Sequence, residues 1–91
     1  MPSHIKTVVI SNKLGLHARA ATKLAQLSQK FEAKVTLKLG DNEADASSVM
    51  GLMLLAGGYG KEVTITTEGE DSEQALNDIC QLFSDKFDED E

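Results

Sequence analysis

Cysteine is nearly absent from this sequence: Cys80 is the one thiol in 91 residues. It forms no internal disulfide and supplies no multi-cysteine metal site. Tryptophan is missing and aromatic residues make up 4% of the chain, too few for a platform that stacks nucleic-acid bases. The histidines are His4 and His17, with no pair at metal-ligand spacing, and no G-x-x-x-x-G-K phosphate loop occurs. The glycine cluster at 57–60 reads as a helix stop rather than a nucleotide loop. No apolar run approaches the roughly 18 residues of a membrane span; the longest, Val49 to Ala56, is interrupted by Gly51. Met1-Pro2-Ser3-His4 lacks the charged-then-apolar order of a secretory signal. These absences predict a monomeric cytoplasmic domain spanning 1–91, with no cofactor or metal and no affinity for membrane or nucleic acid.

What is present is an ordinary globular composition, 41% hydrophobic and 26% charged. A chain this short buries about 60–65% of its unfolded surface, enough for one thin core but not for a deep substrate cleft. The net charge is −6, unevenly spread. Seven of the nine basic residues lie before residue 39, where Glu32 is the sole acid, and the other fourteen acids follow. The basic first half can attract an anion or an acidic partner surface.

Ile5 to Ile10 is β-branched and short, a strand signal. Ala20, Leu24, Leu27 and Phe31 recur at spacings of four, three and four, which predicts a helix from about Ala18 to Lys30. Val35, Leu37 and Leu39 alternate with Lys34, Thr36 and Lys38, a strand with one wet face. Gly40-Asp41-Asn42 is turn chemistry, with a short return strand from Glu43 to Ala46. Ser47-Ser48 precedes the apolar run and reads as a helix N-cap, with Gly57-Gly58 as its stop. Glu62 to Thr67 alternates again. Asp71 with Gln74 resembles a capping arrangement for a last helix whose buried stripe is Ala75, Leu76, Ile79, Leu82 and Phe83. Residues 85–91 read as an acidic tail, frayed from about residue 86. The order β-α-β-β-α-β-α predicts an α+β fold of two layers: a largely antiparallel sheet with the helices on one side.

The chemistry concentrates in Gly15-Leu16-His17-Ala18-Arg19-Ala20-Ala21, which opens the first helix after a strand and a loop. A helix start offers unpaired backbone N–H groups and the positive end of the helix dipole, worth roughly 0.3–1 kcal/mol to an exposed anion. The same field disfavours a protonated imidazole, so His17 is expected to be neutral and nucleophilic near pH 7. Arg19 can turn its planar donors toward a phosphate, and Lys13 and Lys23 add charge nearby. Phosphoryl transfer is mostly positioning and charge stabilisation, so this much machinery suffices. The plainer alternative makes His17 a capping, half-packed residue on the stripe of Leu24.

Leu14-Gly15-Leu16-His17-Ala18-Arg19 and Ser48-Val49-Met50-Gly51-Leu52-Met53, together with the length and the order of elements, resemble the histidine-containing phosphocarrier (HPr) family of the bacterial phosphotransferase system. The likeness extends over nearly the whole chain. Phe87-Asp88-Glu89-Asp90 looks more like the nitrogen-related branch, NPr, than the sugar-transport branch. The resemblance implies an open-faced β-sandwich, a four-stranded antiparallel sheet with three helices on one face. It implies that His17 takes a phosphoryl group on Nδ1 from phospho-enzyme I and gives it to a histidine of an enzyme IIA domain. The product is a stoichiometric carrier with a phosphohistidine intermediate rather than a turnover enzyme. Arg19 would stabilise the phosphate, with the amides of Ala18, Arg19 and Ala20 binding it at the helix start. Val49, Met50, Met53 and Lys23 would dock the partners, and Ser48 matches a regulatory serine modified by an HPr kinase/phosphorylase in some branches. One departure stands out: the family motif continues with proline after the arginine, and here that residue is Ala20, whose restored N–H offers one more donor.

Two other functions compete. An HPr-like docking protein would act through the Ser48 helix without phosphotransfer. A ferredoxin-like ligand- or RNA-binding domain would need aromatic or basic residues on the open sheet face, which carries mainly Thr and Lys.

Overall fold

Alternating side chains sort the strands into a dry face and a wet one. In β2 (Lys34–Leu39), Val35 and Leu37 are buried while Lys34 and Lys38 are exposed. The computed structural model describes residues 2–89. Before β2 come β1 (Ser3–Val9) and α1 (Ala18–Ser28). After it come β3 (Asn42–Asp45), α2 (Val49–Leu54), β4 (Glu62–Glu68) and α3 (Ser72–Ser84), and a single 3₁₀ turn at Lys86–Asp88. The sheet order is β1-β4-β2-β3 and every pairing is antiparallel. The register sets Leu37 between Ile65 of β4 and Ala44 of β3, and Val8 opposite Val63. On the outer face the Thr7 and Thr64 hydroxyls meet at 3.2 Å. The helices cover the other face, giving the open-faced architecture expected from the alternation.

Small side chains let α1 lie close to the core. Ala20, Ala21, Leu24 and Ala25 are buried, and they join Val35, Leu37, Val63 and Ile65 of the sheet and Ala75, Ile79 and Phe83 of α3 in one cluster. Fully burying a residue the size of Leu24 contributes about 1.5–3 kcal/mol. Leu27 and Phe31 of the expected stripe, and Leu82 of the last one, sit half-buried at the margin of that cluster.

Two capping expectations are corrected. Asp71 occupies the N-cap position of α3 but makes no side-chain cap bond. Its carboxylate reaches across the fold and accepts the amides of Glu32 at 2.9 Å and Ala33 at 2.8 Å, tying down the α1–β2 loop. Gln74 instead donates to Asp78 at 2.8 Å. The α2 helix ends before Gly57-Gly58, and the left-handed residue behind it is Ala56, at φ 57°. Gly57 is small for a packing reason: a Cβ there would lie 2.9 Å from both Ile10 Cδ1 and Leu16 Cδ1.

The tail expectation is corrected as far as residue 89; residues 90 and 91 lie outside the described residues. Phe87 is fully buried and packs edge-on against Phe83, with ring centroids 4.9 Å apart. Lys86, Phe87 and Asp88 all adopt left-handed backbone, with φ of 55°, 55° and 63°. That conformation costs an L-residue about 1–2 kcal/mol. The turn persists because burying Phe87 and closing two hydrogen bonds, Asp88 N to Asp85 O and Glu89 N to Lys86 O, offset the strain. The one aromatic among the acids draws the segment back onto the domain.

Candidate functional site

The loop between β1 and α1 is pinned from two sides. Gly15 takes a φ of 66°, and a Cβ on it would sit 2.2 Å from the carbonyl oxygen of Gly57. Any larger residue here faces both a disfavoured backbone and a collision. The next amide, Leu16 N, donates to that same Gly57 oxygen at 2.8 Å, and the Leu16 side chain is buried. The chain therefore enters α1 in one direction, which fixes the residue that follows.

That residue is His17, the N-cap of α1, with extended backbone at φ −76° and ψ 178°. Its carbonyl accepts the first helical bond, from Ala21 N at 2.8 Å. Its ring nitrogen Nδ1 accepts from the Arg19 amide at 3.3 Å. His17 thus caps the helix, and its side chain keeps 26% of its surface exposed. An incoming group can reach the ring.

The other ring nitrogen, Nε2, is hydrogen-bonded to the Glu89 carboxylate. An amide N–H only donates and a carboxylate only accepts. Between them, a neutral ring carries its proton on Nε2 and its lone pair on Nδ1. Glu89 is itself held: Asn12 Nδ2 donates to its second oxygen at 3.1 Å and to Gly15 O at 2.8 Å. Asn12 is fully buried, and having two acceptors on one side fixes its amide orientation. Burial pushes the Glu89 carboxyl up, but hydrogen bonds from His17 and Asn12 and the charges of His17 and Arg19 outweigh it and hold the group below its ordinary range.

The remaining candidates divide. Ala18 and Arg19 are exposed at the helix mouth, whereas Ala20 has no exposed surface, so its amide does not face an outside anion. Lys23 is turned to the tail: its ammonium donates to Phe87 O at 3.0 Å and pairs with Asp88 at 3.3 Å. Ser48 is exposed and caps α2, accepting from Gly51 N at 3.0 Å. Just before it, the Asp45 carboxyl accepts the hydroxyl and amide of Ser47, which hold it below its ordinary range. Met50 and Met53 are exposed and Val49 is half-buried against the core. Leu14, Leu54 and Tyr59 are exposed as well, and the loops of Leu14 and Tyr59 meet at the Leu16–Gly57 bond. Cys80 is half-buried, and burial pushes its thiol up, which disfavours the thiolate.

Sequence reasoning missed Glu89 and Asn12. The isolated Phe87, four residues after Phe83, was the available signal that the tail docks; nothing local indicates which acid then meets the histidine. The concavity on the open sheet face is lined by Lys34, Thr36, Glu43, Ala44, Asp45, Thr66 and Glu68 and does not include His17.

The arrangement is a reachable imidazole with a free-electron-pair nitrogen at a helix start, backed by a carboxylate. Residues 5–85 match the family model described as the PTS HPr component phosphorylation site. The chain is 51% identical over 84 residues to the phosphocarrier protein NPr of Shewanella violacea, covering 92% of each chain. It is 43% identical over 86 residues to NPr of Escherichia coli K12, covering 93% of this chain and 96% of the other. It is 42% identical over 83 residues to the phosphocarrier protein HPr of Xylella fastidiosa, covering 91% and 93%. Among solved structures, HPr-C-His from Thermoanaerobacter tengcongensis superposes with a TM-score of 0.92 at 34% identity, over 97% of this chain and 99% of that one. On sequence and fold alike, the chain belongs to the PTS HPr family.

Proposed function

We propose that this protein is a phosphoryl carrier of the phosphoenolpyruvate-dependent phosphotransferase system, accepting a phosphoryl group on His17 Nδ1 from phospho-enzyme I and passing it to a histidine of an enzyme IIA domain. The observation that carries the reading is the Nδ1 lone pair, aimed at the exposed first turn of α1, where it accepts from the Arg19 amide. When phosphorus approaches Nδ1, that amide is released to donate to a phosphoryl oxygen, and the exposed Ala18 amide and the Arg19 guanidinium stand on the same turn. The positive end of the helix stabilises the charge the group brings. In this role His17 and Arg19 act on the phosphoryl group, and the relatives named phosphocarrier proteins support it.

Docking falls to the exposed apolar side chains of α2, Met50 and Met53, with Val49 beneath them; Leu14, Leu54 and Tyr59 extend that set. Soft, unbranched methionines suit a surface that meets two different partners in turn. Lys23 serves this surface only through the tail that it anchors. Phosphorylation of Ser48 by an HPr kinase/phosphorylase would add nearly two negative charges beside Met50 and weaken docking to acidic partners. The 51% identity to an NPr supports the nitrogen-related branch.

The test is incubation with enzyme I and phosphoenolpyruvate. Acid-labile phosphate appears on the wild type and not on His17→Ala, and it moves on to one member of a panel of IIA domains. An unlabelled wild type rejects the reading. If His17→Ala keeps its biological effect while Met50→Ala abolishes it, the protein is a docking module that transfers nothing.

A further inference from the structure

The segment that carries Glu89 lies past residue 85, where the family-model match ends, yet it reaches the centre of the site. Its path is held at four points. Phe87 is buried against Phe83. Lys23 binds Phe87 O and the Asp88 carboxylate. Asn12 holds one Glu89 oxygen, and His17 Nε2 holds the other. The three left-handed residues 86–88 make this an unfavourable way for the chain to run unless the docked tail compensates for it.

We propose that Glu89 is the positioning residue of His17, selecting the Nε2–H tautomer and stabilising the ring when Nδ1 bears phosphate. The proposal rests on the carrier reading above. In the acceptor step the Nδ1 lone pair forms the N–P bond while the bond between phosphorus and the donor nitrogen breaks, its pair remaining on the donor. No proton leaves His17. The ring becomes cationic, with its hydrogen still on Nε2 and directly against the Glu89 carboxylate. The phosphoryl oxygens lie on the far side of the ring, so attraction at Nε2 exceeds repulsion across it. In the donor step the pair returns to Nδ1 and the ring is neutral again. A carboxylate holding the tautomer and balancing the imidazolium is the role an aspartate plays in hydrolase triads; here the tail supplies it.

The decisive variants are Glu89→Ala, Glu89→Gln and a chain ending at Asp88, which also removes the neighbouring carboxylates. Ring ¹⁵N spectra of His17 report the tautomer without any phosphotransfer partner. In the wild type Nε2–H dominates. Glu89→Ala and the shortened chain become mixtures of both tautomers, and Glu89→Gln, which keeps an acceptor but no charge, retains the tautomer. In phosphotransfer from enzyme I, Glu89→Ala lowers the maximal rate about tenfold with KM unchanged, and Glu89→Gln falls between. Protection of the Asp88 amide, which donates to Asp85 O, together with the Phe87 ring signals, verifies that the turn still docks in each variant. An unchanged tautomer in Glu89→Ala and in the shortened chain overturns the proposal, as does a rise in KM with the maximal rate intact. If the wild type accepts no phosphate at all, the carrier reading fails while the tautomer spectra still decide what Glu89 does to the ring.

Discussion

His17 and Glu89 are 72 residues apart in the chain and hydrogen-bonded in the fold. Because Glu89 titrates below its ordinary range, its contact stabilises the native state at neutral pH and is lost as pH falls through the lowered value. The groups facing it are His17 and Arg19 at the helix start and Asn12 in the preceding loop, with the Lys23–Asp88 pair on the adjoining turn. The expected result is a Glu89 carboxyl midpoint below the ordinary value of about 4.3, with His17 ring signals moving at the same midpoint. Carboxyl and ring NMR titrations check it; an ordinary midpoint refutes the contact.

Gly15→Ala should damage both stability and the site. The added methyl group meets the Gly57 carbonyl oxygen at 2.2 Å on a backbone with φ 66°. A loss of about 2–3 kcal/mol in urea unfolding is expected, with slower phosphate acceptance because Leu16 and His17 shift together. Gly40→Ala is the control: its φ is 60° and nothing lies within 4 Å of a Cβ there, so it suffers backbone strain alone, about 1 kcal/mol.

Phe87→Ala should release the tail. The lost burial and the lost ring contact with Phe83 cost about 2–3 kcal/mol, less than a central Phe→Ala substitution, because the turn detaches and leaves no enclosed cavity. Lys23 then becomes free to move, and the His17 tautomer shifts as it does in Glu89→Ala. Hydrogen exchange at Glu89 and urea melts measure the two effects. Unchanged exchange would mean that the aromatic does not hold the segment.

Asp71→Ala separates a cap from a cross-fold tie. A capping residue would protect the first amides of α3. The geometry instead predicts faster exchange at Glu32 and Ala33, whose amides Asp71 accepts, and a loss of about 1–2 kcal/mol. Faster exchange confined to the start of α3 would restore the capping-box interpretation.

The sheet and helices were legible because their information is local. Alternation in Val35–Leu37 and Val63–Ile65 and the recurrence of Ala20 and Leu24 each sit within a few residues, and burial follows from them. The start of α1 was equally readable, since a histidine between a glycine turn and an alanine run marks a helix cap, and the structure places His17 there with its ring half-exposed. Asp71 was misread for the complementary reason: its residue type suits a helix cap, but the loop it binds lies 38 and 39 residues away in sequence, beyond any local pattern.

By itself the sequence determined the α+β order of elements, the buried face of each element, and the place of His17 at the start of the first helix. Only the tertiary structure decided which nitrogen of that ring holds the proton. The acid that fixes it arrives on a left-handed turn pulled in by one buried phenylalanine. Periodicity records which way a side chain faces within its own element, whereas a contact between distant segments depends on how the whole chain closes on its core.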